Sequence, residues 1–207
     1  MPPTPPSFDI LPALHLVGDR LIDLTADGPD RAFDERDPLD VARHWISQGA
    51  SWIHVVNVDT AFDDDAEHGW PLLERLCALD VRVQYGGGLR TPEDIARAMA
   101  SGVDRALLGV AAIESPQMVA DAIGRHGRER FGLALVTDAA GEVVTRGWQT
   151  VGGLQALTLG VQMARLGIGV AVHTRLERDG SMTGSDLGIS SELASLSGLD
   201  IIVGGEV

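Results

Sequence analysis

The feature that most constrains the fold is a regular alternation of short apolar runs with amphipathic helical patterns along the chain. Apolar runs of roughly four to eight residues between turn signals are typical of buried strands, and apolar residues three and four positions apart are typical of helices with one covered face. A strand-helix alternation predicts an α/β fold, in which helices cover a parallel sheet. The pattern therefore favours this class over a helical bundle.

The predicted strands and helices follow one another from residue 10 to residue 203. Seven strands are predicted at residues 10–16, 52–58, 81–85, 105–108, 131–136, 169–173 and 200–203. Six helices are predicted at residues 38–48, 70–79, 91–101, 115–126, 153–166 and 187–196. Two extended stretches, 21–25 and 143–146, look like hairpin strands after the first and fifth strands. Periodicity alone leaves both the (βα) barrel and the doubly wound open sheet possible.

Length and charge limit the domain count and the partners. A chain of 207 residues with 44% hydrophobic residues can bury one sizeable core, so we expect one domain over 10–207 after a flexible, proline-rich segment 1–9. The formal net charge of -14 repels polyanions, which excludes nucleic acid and membrane surfaces as partners. A small phosphorylated ligand stays possible, because backbone N–H groups can hold an anion locally.

Cysteine use and the start of the chain indicate the compartment. Cys77 is the only cysteine, which excludes an internal disulfide and fits a reducing compartment. The first residues lack the pattern of a signal peptide, and no apolar run reaches membrane-spanning length. We therefore expect a cytoplasmic protein.

Glycines follow three of the predicted strands directly. Gly86, Gly87 and Gly88 follow the third strand and Gly109 follows the fourth, while Gly204 and Gly205 follow the seventh. A glycine at the carboxyl end of a strand lets the backbone approach a bound anion closely. The first two groups predict a phosphate-binding cup, and the third predicts the start of a second. The alternative is that these glycines only form tight turns.

Five sequence motifs, taken in order, resemble the ProFAR isomerase family of histidine biosynthesis. They are LPALHL at 11–16, QYGGGLR at 84–90, GVDRALLG at 102–109, TRGW at 145–148 and RDGSMTG at 178–184. The resemblance extends over nearly the whole chain from residue 10. It implies a TIM-type (βα)8 barrel whose two phosphate cups hold the ends of a bisphosphorylated aminoimidazole carboxamide ribonucleotide. The implied reaction is an aldose–ketose Amadori isomerisation that uses neither a metal nor an organic cofactor.

The same resemblance implies that the barrel is incomplete, because the motifs end with the seventh strand. A full barrel of this type has about 250 residues and closes when its eighth strand pairs with its first. Open edges at the first and seventh strands would leave unpaired backbone groups. We therefore expect a homo-oligomer or a partner that completes the barrel, unless the natural product is longer.

Both aspartates that carry the family's acid–base chemistry are replaced. By the resemblance, His15 stands at the position of the first aspartate and Arg175 at that of the second. A histidine can still transfer protons near neutral pH, but a guanidinium stays protonated at any working pH. The ordinary mechanism with two carboxylates therefore does not apply, and we expect little or no ordinary family activity.

Other positions of the family pattern are either substituted or kept in this chain. Asp23 replaces an arginine of the family, which disfavours a phosphorylated ligand, and Asn57 replaces the first aspartate of the second strand while Asp59 keeps the second. The positions that the resemblance retains for phosphate or substrate binding are Gly86, Gly87, Gly88, Arg90, Gly109, Trp148, Asp179 and Gly184. Trp148 would stack on the substrate base or simply cover the barrel mouth, and Asp179 would bind or only shape a turn.

Three functional hypotheses remain open. The first is a degenerate member of the family, and the second is an active isomerase of this step or of the related phosphoribosylanthranilate step. The active form would use His15 with a carboxylate such as Asp59 or Asp179. The third is a non-catalytic module that binds a phosphorylated metabolite or a protein subunit. A new pocket formed by His15, His173 and Arg175 is also possible, since residues 173 and 175 share one strand face.

Overall fold

The computed structural model describes residues 9–23, 33–62, 69–145, 149–176 and 187–205. The strands within these ranges are β1 (Ala13–Val17), β2 (Arg20–Ile22), β3 (Phe33–Asp34), β4 (Trp52–Asn57), β5 (Arg82–Gly86), β6 (Arg105–Leu108), β7 (Phe131–Thr137), β8 (Glu142–Thr145), β9 (Gln149–Gln155), β10 (Val170–Arg175) and β11 (Asp200–Gly204).

The helices alternate with these strands. They are α1 (Pro38–Ser47), α2 (Asp59–Phe62), α3 (Trp70–Cys77), α4 (Pro92–Ala100), α5 (Val110–Glu114), α6 (Pro116–His126), α7 (Ala156–Leu166) and α8 (Leu187–Ser197). Two of them begin at a capping side chain: Asp37 accepts from the backbone N–H of Leu39 at 2.8 Å before α1, and Thr91 and Asp94 form a capping box at the start of α4. None of the helices in these ranges is long and apolar enough to cross a membrane.

The sheet is mostly parallel and follows the order of the chain. Seven strands lie side by side as β11-β10-β7-β6-β5-β4-β1, and each neighbouring pair among them is parallel. Two antiparallel additions continue from β1 and β7, namely β2 with β3 and β8 with β9. Within the described ranges no ladder joins β1 to β11. The result is a curled, open α/β sheet of the kind that forms a TIM-type barrel.

The two faces of the sheet differ in what they contact. Val83 and Tyr85 of β5 belong to the core that the helices cover, whereas Gln84 and Gly86 line the concave side of the sheet. The same alternation holds on β7, where Leu133 and Leu135 pack in the core and Ala134 and Val136 line the concave side. Along β5, alternate residues therefore contribute either to the core or to the lining of the cavity.

The structure confirms an α/β fold with all seven predicted strands and all six predicted helices, and it corrects some boundaries. β1 begins at Ala13 rather than residue 10, because Pro12 has no N–H to donate and contributes only its carbonyl, which accepts from the N–H of His54 at 2.8 Å. Residues 153–155 are not helical: they belong to β9, where Gly153 has φ +79. The short helices α2 and α5 and the strands β3 and β9 were not predicted.

Candidate functional site

The concave side of the sheet encloses a cavity of about 1390 Å³ that reaches the carboxyl ends of the parallel strands. His15 of β1, Gly86 of β5, Gly109 after β6 and Gly204 of β11 all line it. Strand ends of a parallel sheet converge at one edge, so residues that are far apart in sequence meet here. This edge is the site that the sequence predicts.

His15 lines the cavity from the middle of β1 and is half-buried. Burial lowers its pKa from the ordinary 6.5 to about 4, and the nearby carboxylate of Asp23, just after β2, partly opposes this shift. His15 is consequently a neutral imidazole at pH 7. Asp23 lines the same cavity, so a carboxylate does accompany His15, although at a different position from those expected.

The glycine groups after β5 and β6 lie next to each other, because β5 and β6 pair with Gly86 opposite Leu107. Gly87 and Gly88 have φ +121 and +65, which side chains other than glycine rarely adopt. A Cβ on Gly87 would lie 2.4 Å from the carbonyl oxygen of Asn57. The residues of the predicted first phosphate cup therefore form a tight backbone turn. The role of this turn in phosphate binding stays a prediction.

Arg90 closes this turn on one side. Its Nη2 donates to the carbonyl oxygen of Thr60 at 2.8 Å, and its backbone N–H donates to the Asp94 carboxylate at 3.1 Å. Arg90 also lines the cavity, so a cation lies beside the glycine turn. This guanidinium is anchored to the segment that follows β4.

The glycines at the end of β11 adjoin β10. Gly204 is paired with Thr174, and a Cβ on Gly204 would lie 2.5 Å from the Thr174 hydroxyl oxygen. Gly205 has φ +124, and both glycines line the cavity. A side chain at position 204 would displace Thr174. The backbone of Gly204 therefore lies close against Thr174 at the edge of the cavity.

Arg175 and His173 do not join His15 in the cavity, which corrects the hypothesis of a pocket formed by all three. His173 is 1% exposed and its ring nitrogens contact the hydroxyl groups of Thr137, at 3.0 Å, and Ser190 of α8, at 2.7 Å. Arg175 pairs with Thr137 and lies on that same helix-facing side of β10. Thr174, one residue earlier, is the residue that lines the cavity.

The two polar positions at the end of β4 shape the backbone. The carboxylate of Asp59 accepts from the backbone N–H of Gly18 at 2.5 Å, which ties α2 to the turn between β1 and β2. The carbonyl oxygen of Asn57 accepts from the Thr60 hydroxyl at 3.1 Å. Asp59 thus has a structural partner. Three of the predicted binding residues, Trp148, Asp179 and Gly184, lie outside the described ranges.

A polar network lower on the concave side was not predicted as part of the site. Gln84 contacts His54 at 3.2 Å and Arg105 at 3.0 Å. The guanidinium groups of Arg82 and Arg105 lie 4.4 and 4.5 Å from the ring centroid of Trp52. Polar residues at alternate positions of apolar strands were the available signal. In the described part of the chain, no three His, Cys, Asp or Glu side chains are grouped so as to hold a metal ion.

Comparison with known proteins identifies relatives over most of the chain. The sequence profile of a family described as histidine biosynthesis protein matches residues 9–207. A protein of Picosynechococcus sp. is 35% identical over 203 residues, which cover 97% of this chain and 78% of the relative. A protein of Desulforamulus reducens is 38% identical over 200 residues, covering 96% and 80%.

A protein of Syntrophomonas wolfei is 37% identical over 171 residues, which cover 82% of this chain and 69% of the relative. All three relatives have the name 1-(5-phosphoribosyl)-5-((5-phosphoribosylamino)methylideneamino) imidazole-4-carboxamide isomerase. The match agrees with the order of the five motifs and with the observed sheet.

Proposed function

We propose, from the premise that this chain belongs to the ProFAR isomerase family of histidine biosynthesis proteins, that it is a divergent member whose cavity binds a phosphorylated ribonucleotide and isomerises it weakly or not at all. The reaction that the family resemblance implies is an aldose–ketose isomerisation. It requires one group that protonates the ribose ring oxygen and another that removes a proton from the adjacent carbon.

The observation that carries this proposal is the chemistry of the two positions that should supply those groups. His15 faces the cavity with its pKa lowered to about 4, so it is a weak base at pH 7 and has no acidic proton to give. Arg175 lies on the opposite face of its strand and cannot exchange a proton in either role. A general acid or base contributes about 10²–10⁴-fold to a rate, and two such groups are affected.

The test is turnover of the ribonucleotide named for the relatives, with the Desulforamulus reducens protein as the positive control. We expect kcat/KM of this chain to be lower by about 10⁴-fold or more. His15→Asp should raise the residual rate, and His15→Ala should leave it unchanged. A kcat/KM within about tenfold of the control would overturn the proposal, and a clear loss in His15→Ala would favour an active isomerase that uses His15 with Asp23.

A non-catalytic binding role is the second candidate, and the backbone turn at Gly86–Gly88 favours it. The turn is held closely against Asn57 and has Arg90 beside it, an arrangement suited to an anion even where the proton-transfer groups are changed. Calorimetry with inorganic phosphate and ribose 5-phosphate would measure this binding. Heat that is lost in Gly87→Ala but kept in Gly49→Ala would support it, since Gly49 also has positive φ but open space around it.

We further propose that a second copy of the chain covers the open side of the sheet. Ile10, Trp45 and Leu187 are 73%, 41% and 66% exposed, and all three line the cavity beside β1 and β11. Large exposed apolar side chains close to the end of a sheet are typical of interaction surfaces. Sedimentation at micromolar concentration should show a dimer that Leu187→Asp weakens. Leu196→Asp is the control, because Leu196 is 60% exposed but does not line the cavity. A well-folded monomer would contradict the proposal.

A further inference from the structure

The glycine turn after β5 packs against a buried pair of residues, Asn57 and Thr60. Asn57 ends β4 and Thr60 lies in α2, and the two residues are 5% and 2% exposed. The Thr60 hydroxyl donates to the backbone carbonyl of Asn57 at 3.1 Å, and a Cβ on Gly87 would lie 2.4 Å from that same carbonyl oxygen. The backbone of the turn is therefore held directly against this pair.

The side chain of Asn57 holds the start of α2. Its Oδ1 accepts from the backbone N–H of Thr60 at 3.3 Å, and a contact with the N–H three residues later is the one that an N-capping side chain makes. Because this N–H can only donate, the amide oxygen must face it. Burial raises the pKa of Tyr85, and a hydrogen bond from the Asn57 side chain partly opposes this rise, which agrees with an amide nitrogen directed at the Tyr85 hydroxyl.

The carbonyl of Thr60 connects this cap to a cation. α2 has only four residues, so its carbonyl groups lack partners within the helix, and a helix of this length depends on outside contacts. The Thr60 carbonyl oxygen accepts from Nη2 of Arg90 at 2.8 Å. Thr60 thus contacts Asn57 through its N–H and Arg90 through its carbonyl.

Arg90 is held at both ends of its length. Its backbone N–H donates to the carboxylate of Asp94 at 3.1 Å at the start of α4, and its guanidinium donates to Thr60 of α2. Arg90 lines the cavity together with Gly87 and Gly88. A guanidinium of fixed position binds an anion more tightly than a mobile one, because less side-chain entropy is lost on binding. The contact with Thr60 therefore bears on binding as well as on stability.

We propose that Asn57 is a positioning residue: by capping α2 it presents the Thr60 carbonyl to Arg90, and so fixes the guanidinium beside the Gly86–Gly88 turn, where it contacts an oxyanion such as a phosphate group. This inference deepens the proposed function, and its ligand step rests on that function. The anchoring of Arg90 does not depend on any ligand.

The anchoring can be measured by ¹⁵N NMR of the arginine side chains with no ligand present. A guanidinium held by a hydrogen bond at Nη rotates slowly and gives separate Nη resonances, whereas a released one gives an averaged signal. Arg90→Lys identifies the resonances of Arg90. We expect separate resonances in the wild-type chain and in Asn57→Ser, which keeps a capping oxygen, and an averaged signal in Asn57→Ala, which removes it.

Two results would overturn the anchoring. They are an averaged Arg90 signal in the wild-type chain, and separate resonances in folded Asn57→Ala. Both variants keep a Cβ at position 57, so the packing of this residue against Gly87 is retained. Circular dichroism establishes that each variant is folded, and sucrose, which favours the folded state, is added to all samples if Asn57→Ala is unstable.

A double-mutant cycle with inorganic phosphate, measured by calorimetry, tests the ligand step. Arg90→Met should weaken phosphate binding by about tenfold or more, because it removes a charge-assisted hydrogen bond. Asn57→Ala should weaken it by about fivefold, the effect of a lost cap. In the Arg90→Met background, Asn57→Ala should have no further effect, since Asn57 acts through Arg90. An equal loss in both backgrounds would refute this step, because Asn57 would then act on the glycine turn itself.

The comparison of the two Asn57 variants needs no change at Arg90. Asn57→Ser should bind phosphate as the wild-type chain does, and an equal weakening in Asn57→Ser and Asn57→Ala would also refute the ligand step. An absence of phosphate binding to the wild-type chain would refute that step together with the proposed binding role of the turn. The Arg90 resonances would still decide the anchoring, so the two failures are distinguishable.

Discussion

Gly87→Ala should destabilise the chain through two effects that the structure separates. The first is backbone strain at φ +121, which costs a residue with a Cβ about 1–2 kcal/mol. The second is contact, because the new Cβ would lie 2.4 Å from the carbonyl oxygen of Asn57 and 3.0 Å from the hydroxyl oxygen of Thr60. Backbone shifts that relieve such overpacking cost about 1–3 kcal/mol. The sum is a loss of about 2–5 kcal/mol in the free energy of unfolding.

Gly49→Ala isolates the first effect. Gly49 has φ +95, and a Cβ there would have no neighbour within 4 Å, so we expect a loss of about 1–2 kcal/mol. Thermal unfolding followed by circular dichroism measures both variants, at about 2–4 °C per kcal/mol for a chain of this size. If Gly87→Ala is no less stable than Gly49→Ala, the close approach to Asn57 does not constrain the turn, and its use as an anion site loses its structural basis.

Three further predictions concern stability. Because the folded-state pKa values of His15 and His54 are lowered to about 4, the unfolded chain takes up protons before the folded chain does as the pH falls. The free energy of unfolding should be highest above about pH 6.5 and should decline toward pH 4, by up to about 1.4 kcal/mol per pH unit for each ring. An unchanged urea midpoint from pH 7 to 5 would contradict this. Thr91→Ala removes the side chain that caps α4 and should cost about 1 kcal/mol in urea unfolding, and no measurable loss would show that the cap is dispensable. Trp52→Ala removes a 7%-exposed ring that contacts two guanidinium groups and should cost about 3–5 kcal/mol in the free energy of unfolding, whereas Trp52→Phe should cost less. Equal losses in the two variants would refute a role for the aromatic ring.

The strands of the parallel sheet could be predicted because each is a short apolar run followed by a helix with its own start signal. Pro116, for example, begins α6 at a point that the sequence indicates. β9 could not be predicted, because Gly152 and Gly153 interrupt the pattern and only its pairing with β8 defines it as a strand. Elements that depend on a partner far away in sequence lack a local signal.

The position of each glycine turn followed from the fold, since parallel strands end at one edge. The direction of a side chain at a strand end did not follow from the motif alone. Arg175 takes the position expected for a catalytic group, yet the alternation along β10 directs Thr174 to the cavity and residue 175 to the helices. Likewise, the contact of Gln84 with His54 requires the register between β4 and β5, in which these two residues are paired, and register comes from tertiary structure.

The order of the parallel strands also has a consequence for synthesis on the ribosome. From β1 through β4, β5, β6, β7, β10 and β11, each strand is added beside the one before it, and none is inserted between two that were made earlier. A nascent chain can therefore extend its sheet at one growing edge as each unit emerges, because each new parallel strand pairs with the parallel strand made just before it. Translation pauses between units would thus favour ordered assembly over misfolding.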